Sequence, residues 1–336
     1  MIRSSWRRRA AVAGTLVAAL VLSACDKSHR QTTLNPQGPI AHKLANLFNP
    51  VFWIAVVVFV LVEGLILFAV IKYRSRSDDE RPVQIHGNTR LEITWTILPA
   101  LTLAFVGFFT VKTVFEVNKI PKNAMAITVT GHRWWWEYEY PGLGIKTANE
   151  LHIPVGEPVN VSLTSFDVIH NFWPPALAGK VYAVPGRHNH MLIQADHPDT
   201  YYGQCAEYCG LSHANMRLRV IAQTPADFQA WVQQQQSAAA VPADGSDAAA
   251  GRTLFQQKGC AGCHTINGFT AGTVGPNLTH LQSRSVFAGA IFDMNPNNLR
   301  TWLRNPPAAK PGSVMPNLKL SEDEMTKLIA YLETLK

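Results

Sequence analysis

Two apolar runs decide most of what this chain can become. Residues 51–71 are apolar apart from Glu63, and residues 93–111 carry no charge. About 20 residues at 1.5 Å of helical rise cross a hydrocarbon core of roughly 30 Å, so both runs read as spanning helices of a transmembrane hairpin. The hairpin is assigned to residues 50–114. Between the runs Lys72, Arg74, Arg76, Arg81 and Arg90 outnumber Asp78, Asp79 and Glu80, which puts this loop in the cytoplasm and both termini outside. Glu63 in mid-span has two readings: a carboxyl buried by a larger membrane partner, or one protonated and packed. The net charge of +7 is spread over 336 residues without a basic helix or aromatic-basic alternation, which argues against a nucleic-acid partner.

Residues 1–24 begin with Arg3, Arg7, Arg8 and Arg9, continue with an apolar run too short to span, and end in small residues. That is the pattern of a secretory signal. Leu22-Ser-Ala-Cys25 resembles a bacterial lipobox, which implies cleavage before Cys25 and lipidation of its sulfur. The alternative is ordinary cleavage nearby with Cys25 free. Asp26 resembles the residue that retains such lipoproteins in the inner membrane. Residues 25–49 then form an external segment ahead of the first span.

The richest chemistry lies between Tyr201 and Met216, where Cys205, Cys209, His213 and Met216 offer two thiolates, an imidazole and a thioether on one loop. Such soft donors select a redox-active metal, with copper the leading candidate and electron transfer its use. A mononuclear blue-copper site would need one Cys, so the second suggests two coppers bridged by thiolates. A disulfide or a structural zinc remain as alternatives, although zinc gains nothing from Met. The surrounding sequence is β-rich at 127–130, 134–140, 159–165, 190–195 and 217–222, punctuated by Pro and Gly, and reads as an antiparallel sandwich or barrel over residues 115–236. A second imidazole is expected from His170, at the end of a strand-like segment; His132, His152, His188, His190 and His197 compete for that role.

Cys205-Ala-Glu-Tyr-Cys209-Gly with His213 and Met216, the upstream His170, Gly131-His-Arg-Trp-Trp-Trp-Glu-Tyr-Glu-Tyr140 and Trp95-Thr-Ile-Leu-Pro-Ala100 together resemble subunit 2 of cytochrome c oxidase over residues 40–225. The resemblance implies a cupredoxin-like Greek-key barrel holding the binuclear CuA centre. Its ligands would be the side chains of His170, Cys205, Cys209, His213 and Met216 and the backbone carbonyl of Glu207. The Glu207 side chain would face a magnesium at the junction with subunit 1. Trp134 matches the residue through which electrons reach the copper, whereas Trp135 stands where the family more often has Tyr. Glu92 matches a carboxylate near the mouth of a proton channel; a solvated helix-end Glu is the plainer reading.

Thr224-Pro-Ala-Asp227 caps a short helix that closes the copper domain, and the Ala-rich residues 237–247 read as a tether, with Asp247 a candidate cap for the next helix. Gly259-Cys-Ala-Gly-Cys-His264 is a Cys-x-x-Cys-His signature, with Cys260 and Cys263 forming thioethers to haem c and His264 ligating its iron. A thioredoxin-like pair would need a βαβ pattern that is lacking. For the sixth ligand Met294, Met315 and Met325 compete. Met325 falls in an amphipathic helix capped by Ser321, and Met315 in a loop free to reach the iron. Residues 248–336 resemble class I cytochrome c, a small all-α domain, through Gly275-Pro-Asn-Leu278, the paired aromatics Phe255 and Tyr331, and Met315, which matches the axial ligand. The five cysteines thus divide into one lipid, two copper and two haem sites, with no disulfide.

Together the resemblances imply the electron-accepting subunit of a haem-copper oxidase in the bacterial inner membrane, with its metal domains on the periplasmic side. Electrons would pass from a c-type cytochrome to haem c, to CuA and to subunit 1, where dioxygen becomes water and protons are pumped. A CuA subunit feeding a nitric oxide reductase and a membrane-tethered carrier are the rivals. A quinol oxidase subunit is disfavoured, because that branch lacks the copper ligands.

Overall fold

The computed structural model describes residues 12, 14–16, 29–74 and 87–336. Most of residues 1–24, Cys25 and residues 75–86 between the two apolar runs lie outside the described residues. The apolar runs form α1 (Pro39–Lys72) and α2 (Thr89–Val117). Asn88 caps α2 by accepting from Arg90 N and Leu91 N at 3.1 and 3.3 Å. The hydroxyls of Thr94, Thr96, Thr102 and Thr110 each donate to the carbonyl four residues back, so α2 presents no unpaired hydroxyl from these threonines to lipid.

Helix α1 begins at Pro39, well ahead of its apolar run, because Pro at the first turn favours helix and nothing breaks it before the span. Its first turn is packed into the β domain: Ile40 and Ala41 are buried, and Ala41 N donates to Leu177 O at 3.2 Å. Gly38 is required there, since a Cβ would collide with Gln194 O.

The copper domain is a sandwich of two five-stranded sheets. One has β1 (Met125–His132), β2 (Trp135–Tyr140), β3 (Ile145–Ala148), β5 (Val159–Ser165) and β8 (Asn189–Ile193), ordered β3-β2-β1-β5-β8. The other has β4 (Glu150–Pro154), β6 (His170–Trp173), β7 (Val181–Ala183), β9 (Asp199–Cys205) and β10 (Arg217–Gln223), ordered β4-β10-β9-β6-β7. The pairs β1–β5 and β4–β10 run parallel and the rest antiparallel, as befits a cupredoxin-like rather than purely antiparallel sandwich. Alternate residues of β1, β2 and β5 point inward, placing Val129, Trp136, Tyr138 and Leu163 in the core. Helix α3 (Pro225–Gln236), capped by the Thr224 hydroxyl accepting from Asp227 N, closes one end with Phe228, Trp231 and Val232.

The C-terminal domain is helical. Ser246, rather than Asp247, caps α4 (Asp247–Gln257), its hydroxyl accepting from Ala249 N; Asp247 occupies the first turn. Then follow α5 (Pro296–Arg304), the single turn α6 (Pro306–Ala309) and α7 (Glu322–Leu332), which begins with a Ser321/Glu324 capping box. Helices α4 and α7 cross at Gly251, where a Cβ would strike the Lys327 carbonyl, and Phe255 meets Tyr331 edge-on at 5.9 Å.

This domain is docked on the copper domain. Glu150 of β4 accepts from Ser285 N and Ser285 Oγ, Arg284 Nε donates to Thr147 Oγ1 at 3.2 Å, and Arg219 reaches Ser285 and Asp293. The backbone joins in, with Arg217 N donating to Gly289 O at 2.9 Å.

His152 lies in the β4 core, stacked on Trp231 at 4.4 Å and bonded to Gln223 Oε1. Burial lowers its pKa to about 4, with the Gln223 bond opposing. Because the folded-state value lies below the free-imidazole value of about 6.5, the neutral ring stabilises fully above pH 6.5, and that stability is lost as pH falls towards 4. Wild type is therefore expected to lose about 3 kcal/mol more than His152→Gln across this window, measured by urea unfolding of the copper domain.

Candidate copper and haem sites

The soft donors of the 201–216 loop meet at one end of the sandwich. Strand β9 ends at Cys205, a 3-10 turn carries His213–Asn215, and Met216 precedes β10. Cys205 N donates to Met216 O and Ala206 N to Asn171 O, both at 2.9 Å, so both ends of the loop are pinned to sheet. His170 enters from the start of β6. Cys205 Sγ lies 3.8 Å from Cys209 Sγ, 3.9 Å from His170 Nδ1 and 3.2 Å from the Glu207 carbonyl. Cys209 Sγ lies 3.6 Å from His213 Nδ1 and 3.9 Å from Met216 Sδ. The thiols are thus central and the imidazoles and thioether peripheral.

His170 Nε2 is bonded to Asp167 Oδ1 at 2.9 Å, and Asp167 is itself fixed by Val168 N and Arg133 N. This leaves Nδ1 aimed at the sulfurs and sets the imidazole tautomer. Hydrogen bonds outweigh burial to hold the Asp167 carboxyl low, at about 2. The hydrogen bond from Cys209 pulls the Cys205 thiol down to about 4, against burial, while the same bond and burial push Cys209 up. A thiolate at Cys205 beside the Cys209 thiol favours a bound cation, which is the electrostatic preference of a metal site. The donor set fits copper.

A second site is an apolar crevice in the helical domain, lined by Cys260, His264, Leu278, Leu299 and Met315. His264 Nδ1 is 2.8 Å from Pro276 O, a carbonyl that can only accept, so Nδ1 carries the proton and Nε2 is free. Burial lowers the His264 pKa, with that bond opposing. Met315 Sδ accepts from Trp302 Nε1 at 3.2 Å. Cys260 and Cys263 are free, half-buried thiols. The Cys260 thiol, an imidazole and a thioether line this apolar slot, with the Cys263 thiol three residues on from Cys260, and the set fits a covalently attached haem. The opposite wall comes from the copper domain: Arg133, Trp134, Trp135 and Asn149.

Three family profiles cover the chain: the transmembrane domain of cytochrome c oxidase subunit II at residues 29–113, its periplasmic domain at 143–223, and cytochrome c at 248–336. Cytochrome c oxidase subunit 2 of Alkalihalophilus pseudofirmus is 39% identical over 327 residues, covering 94% of both chains. The chain belongs to the cytochrome c oxidase subunit 2 family. The Bacillus subtilis subunit 2 is 32% identical, covering 94% of this chain and 95% of its own. A quinol oxidase subunit 2 of Bacillus cereus is 34% identical over 227 residues, covering 66% of this chain and 77% of its own.

Seen as a subunit 2, the chain distributes its other candidates as follows. His132 is stacked against Trp135 and Phe166, His152 faces Gln223, and His188 and His190 bond Ser162 and Asn160, so none of these rings joins the thiols. His197 precedes β9, and its carbonyl accepts from the Tyr201 hydroxyl. Met325 is buried in the helical core and Met294 packs beside that core; Met315 reaches the crevice. Glu92 lies in the first turn of α2 and Glu63 on an exposed face of α1. Trp134 is 6% exposed, and its Nε1 donates to Cys209 O at 2.9 Å.

Sequence reading passed over Asp167, Arg284, Trp302 and Lys310. Asp167, three residues before His170, carried a local signal, and Trp302 lies 13 residues before Met315; Arg284 and Lys310 act across long sequence separations. Arg284 Nη2 donates to Asn277 O, next to the residue bonding His264, and burial pulls the Arg284 pKa down to about 10, with Glu150 opposing.

Gly275 lies under the His264 ring, where a Cβ would come within 2.5 Å of Cε1. Gly275→Ala is expected to displace the ring and destabilise the haem domain by about 1–3 kcal/mol, read by thermal unfolding and haem absorption.

Proposed function

We propose that this chain accepts electrons from a c-type cytochrome and delivers them to oxidase subunit 1, where dioxygen is reduced to water with proton translocation. The observation that carries this reading is the convergence of two thiols, two imidazoles, a thioether and a carbonyl at 3.2–3.9 Å spacing, in a chain that also brings a Cys-x-x-Cys-His crevice to the same face. His170, Cys205, Cys209, His213, Met216 and the Glu207 carbonyl would hold the two-copper CuA centre. Cys260 and Cys263 would attach haem c, with His264 and Met315 its axial ligands. Bound there, these groups supply one-electron redox centres.

The protein's contribution is rigidity. Loop ends pinned to β6 and β9, and His170 held by Asp167, keep the donors in one arrangement through a redox change. Trp134 lies between the crevice and the Cys209 carbonyl and would be the route between the two centres. The Glu207 side chain would meet a magnesium at the boundary with subunit 1, and Glu92 the mouth of a proton channel there. Two spanning helices, a lipidated Cys25 and periplasmic metal domains would place the chain in the bacterial inner membrane.

Metal analysis of the purified protein is expected to give two coppers per covalent haem, and Cys209→Ser to lose the paired-copper spectrum while keeping haem; zinc in place of copper would refute the assignment. Met315→Ala should remove the sixth haem ligand, visible in the haem spectrum, with copper intact; an unchanged spectrum would transfer that role to Met294.

A further inference from the structure

Lys310 follows α6 in the haem domain, yet its head group crosses into the copper domain. It is 3% exposed, and its Nζ donates to the Trp134 carbonyl and, at 2.7 Å, to the Ala288 carbonyl of its own domain. Among the described residues it forms no ion pair. A desolvated amine held only by carbonyls is costly, and an apolar side chain would fill the seam with less penalty, so packing does not explain it. Its path is built for it: Gly289 has φ 78°, and a Cβ there would strike Lys310 Nζ and come within 2.6 Å of Trp134 O.

The residue so held is already fixed at its ring. The indole Nε1 donates to Cys209 O, and the six-membered edge lies on Gly312, where a Cβ would collide, three residues before Met315. The ring also lies against Gly210, next to Cys209. We infer that Lys310 is a positioning residue for electron transfer across the seam: it ties the Trp134 backbone to the Ala288 carbonyl and so holds the indole between Gly312 of the haem domain and Cys209 of the copper loop. This rests on the proposed reading that electrons pass by Trp134. It adds that the two domains are held in register at that residue, and that Trp134, 6% exposed, is closed to a soluble donor.

The test uses the intact, cofactor-loaded oxidase, with haem reduced by a flash from a photoreductant and copper reduction followed optically. Lys310→Met keeps the length of the side chain and removes its donors. It is expected to slow haem-to-copper transfer by about tenfold or more, and to raise oxidation of Trp134 in hydroxyl-radical footprinting. Lys310→Gln, which keeps an N–H donor on a shorter stem, should fall between; should Lys310→Met lose a cofactor, Lys310→Gln carries the comparison. Arg219→Met, which removes bonds to Ser285 and Asp293 elsewhere in the seam, is expected to transfer at the wild-type rate. Wild-type transfer and Trp134 protection in Lys310→Met overturn the inference, and so does an equal slowing by Arg219→Met, which would make Lys310 general glue. Trp134→Phe separates the two levels: slow transfer there with fast transfer in Lys310→Met defeats the positioning role alone, and fast transfer in Trp134→Phe defeats the route itself.

Discussion

Glu150 enters the seam between the copper and haem domains with 2% of its surface exposed, and the haem domain meets it with the Ser285 N–H and hydroxyl. Burial raises its pKa, while those bonds and the Arg284 and Arg219 charges pull it back. A buried carboxyl whose hydrogen bonds all come from the other domain is satisfied in one docked register and penalised in any other. Arg284 works in the opposite direction, reaching Thr147 across the seam while its other arm holds Asn277 beside the His264 loop. Residues 237–247 connect two bodies already locked together, so the tether expected from its composition does not leave the haem domain swinging.

What could be read from the sequence followed a physical division. Donor type belongs to a residue, so thiolates, imidazoles and a thioether at short spacing announced soft-metal chemistry before any fold was known. Helix ends were similarly readable, because Thr224 and Ser321 cap through bonds to neighbours three residues on. Strands with one wet face, β1, β2, β5 and β10, showed alternation. Strand β4, Glu-Leu-His-Ile-Pro, is buried at every position and carries a Glu and a His whose partners lie on other elements, so it gave no strand-like pattern. Strands β3, β6 and β7 are three or four residues long, too short for a period to show. The ring expected to join the thiols, His170, could be ranked over five rivals only by its place at a strand end; the geometry gathers it with Cys205, which supports that choice.

The seam was illegible for a different reason. Lys310, Arg284, Glu150 and Gly289 are ordinary residues in sequence, and each acquires its role from a group well over a hundred residues away: Lys310 from Trp134, Arg284 from Thr147, Glu150 from Ser285. Glycines show the same thing in miniature. Gly251, Gly275 and Gly312 lie in unrelated local settings, and what they share is a neighbour, a carbonyl or a ring, closer than any Cβ would allow.

The docking of the first turn of α1 into the β domain has a mechanical consequence. Between Pro39 and the apolar run at Val51 the chain is continuous helix, roughly 18 Å long at 1.5 Å per residue. With Gly38 against Gln194 and Ala41 bonded to Leu177, no hinge separates that rod from the sandwich. Pro50 lies inside α1 where rod meets span and removes one helical N–H, yet the helix runs through it unbroken, so the span and the metal-bearing head behave as a lever. A bilayer whose thickness tilts α1 would tilt the copper loop with it, and the partner that holds the span upright also sets the height and angle at which the loop meets its acceptor.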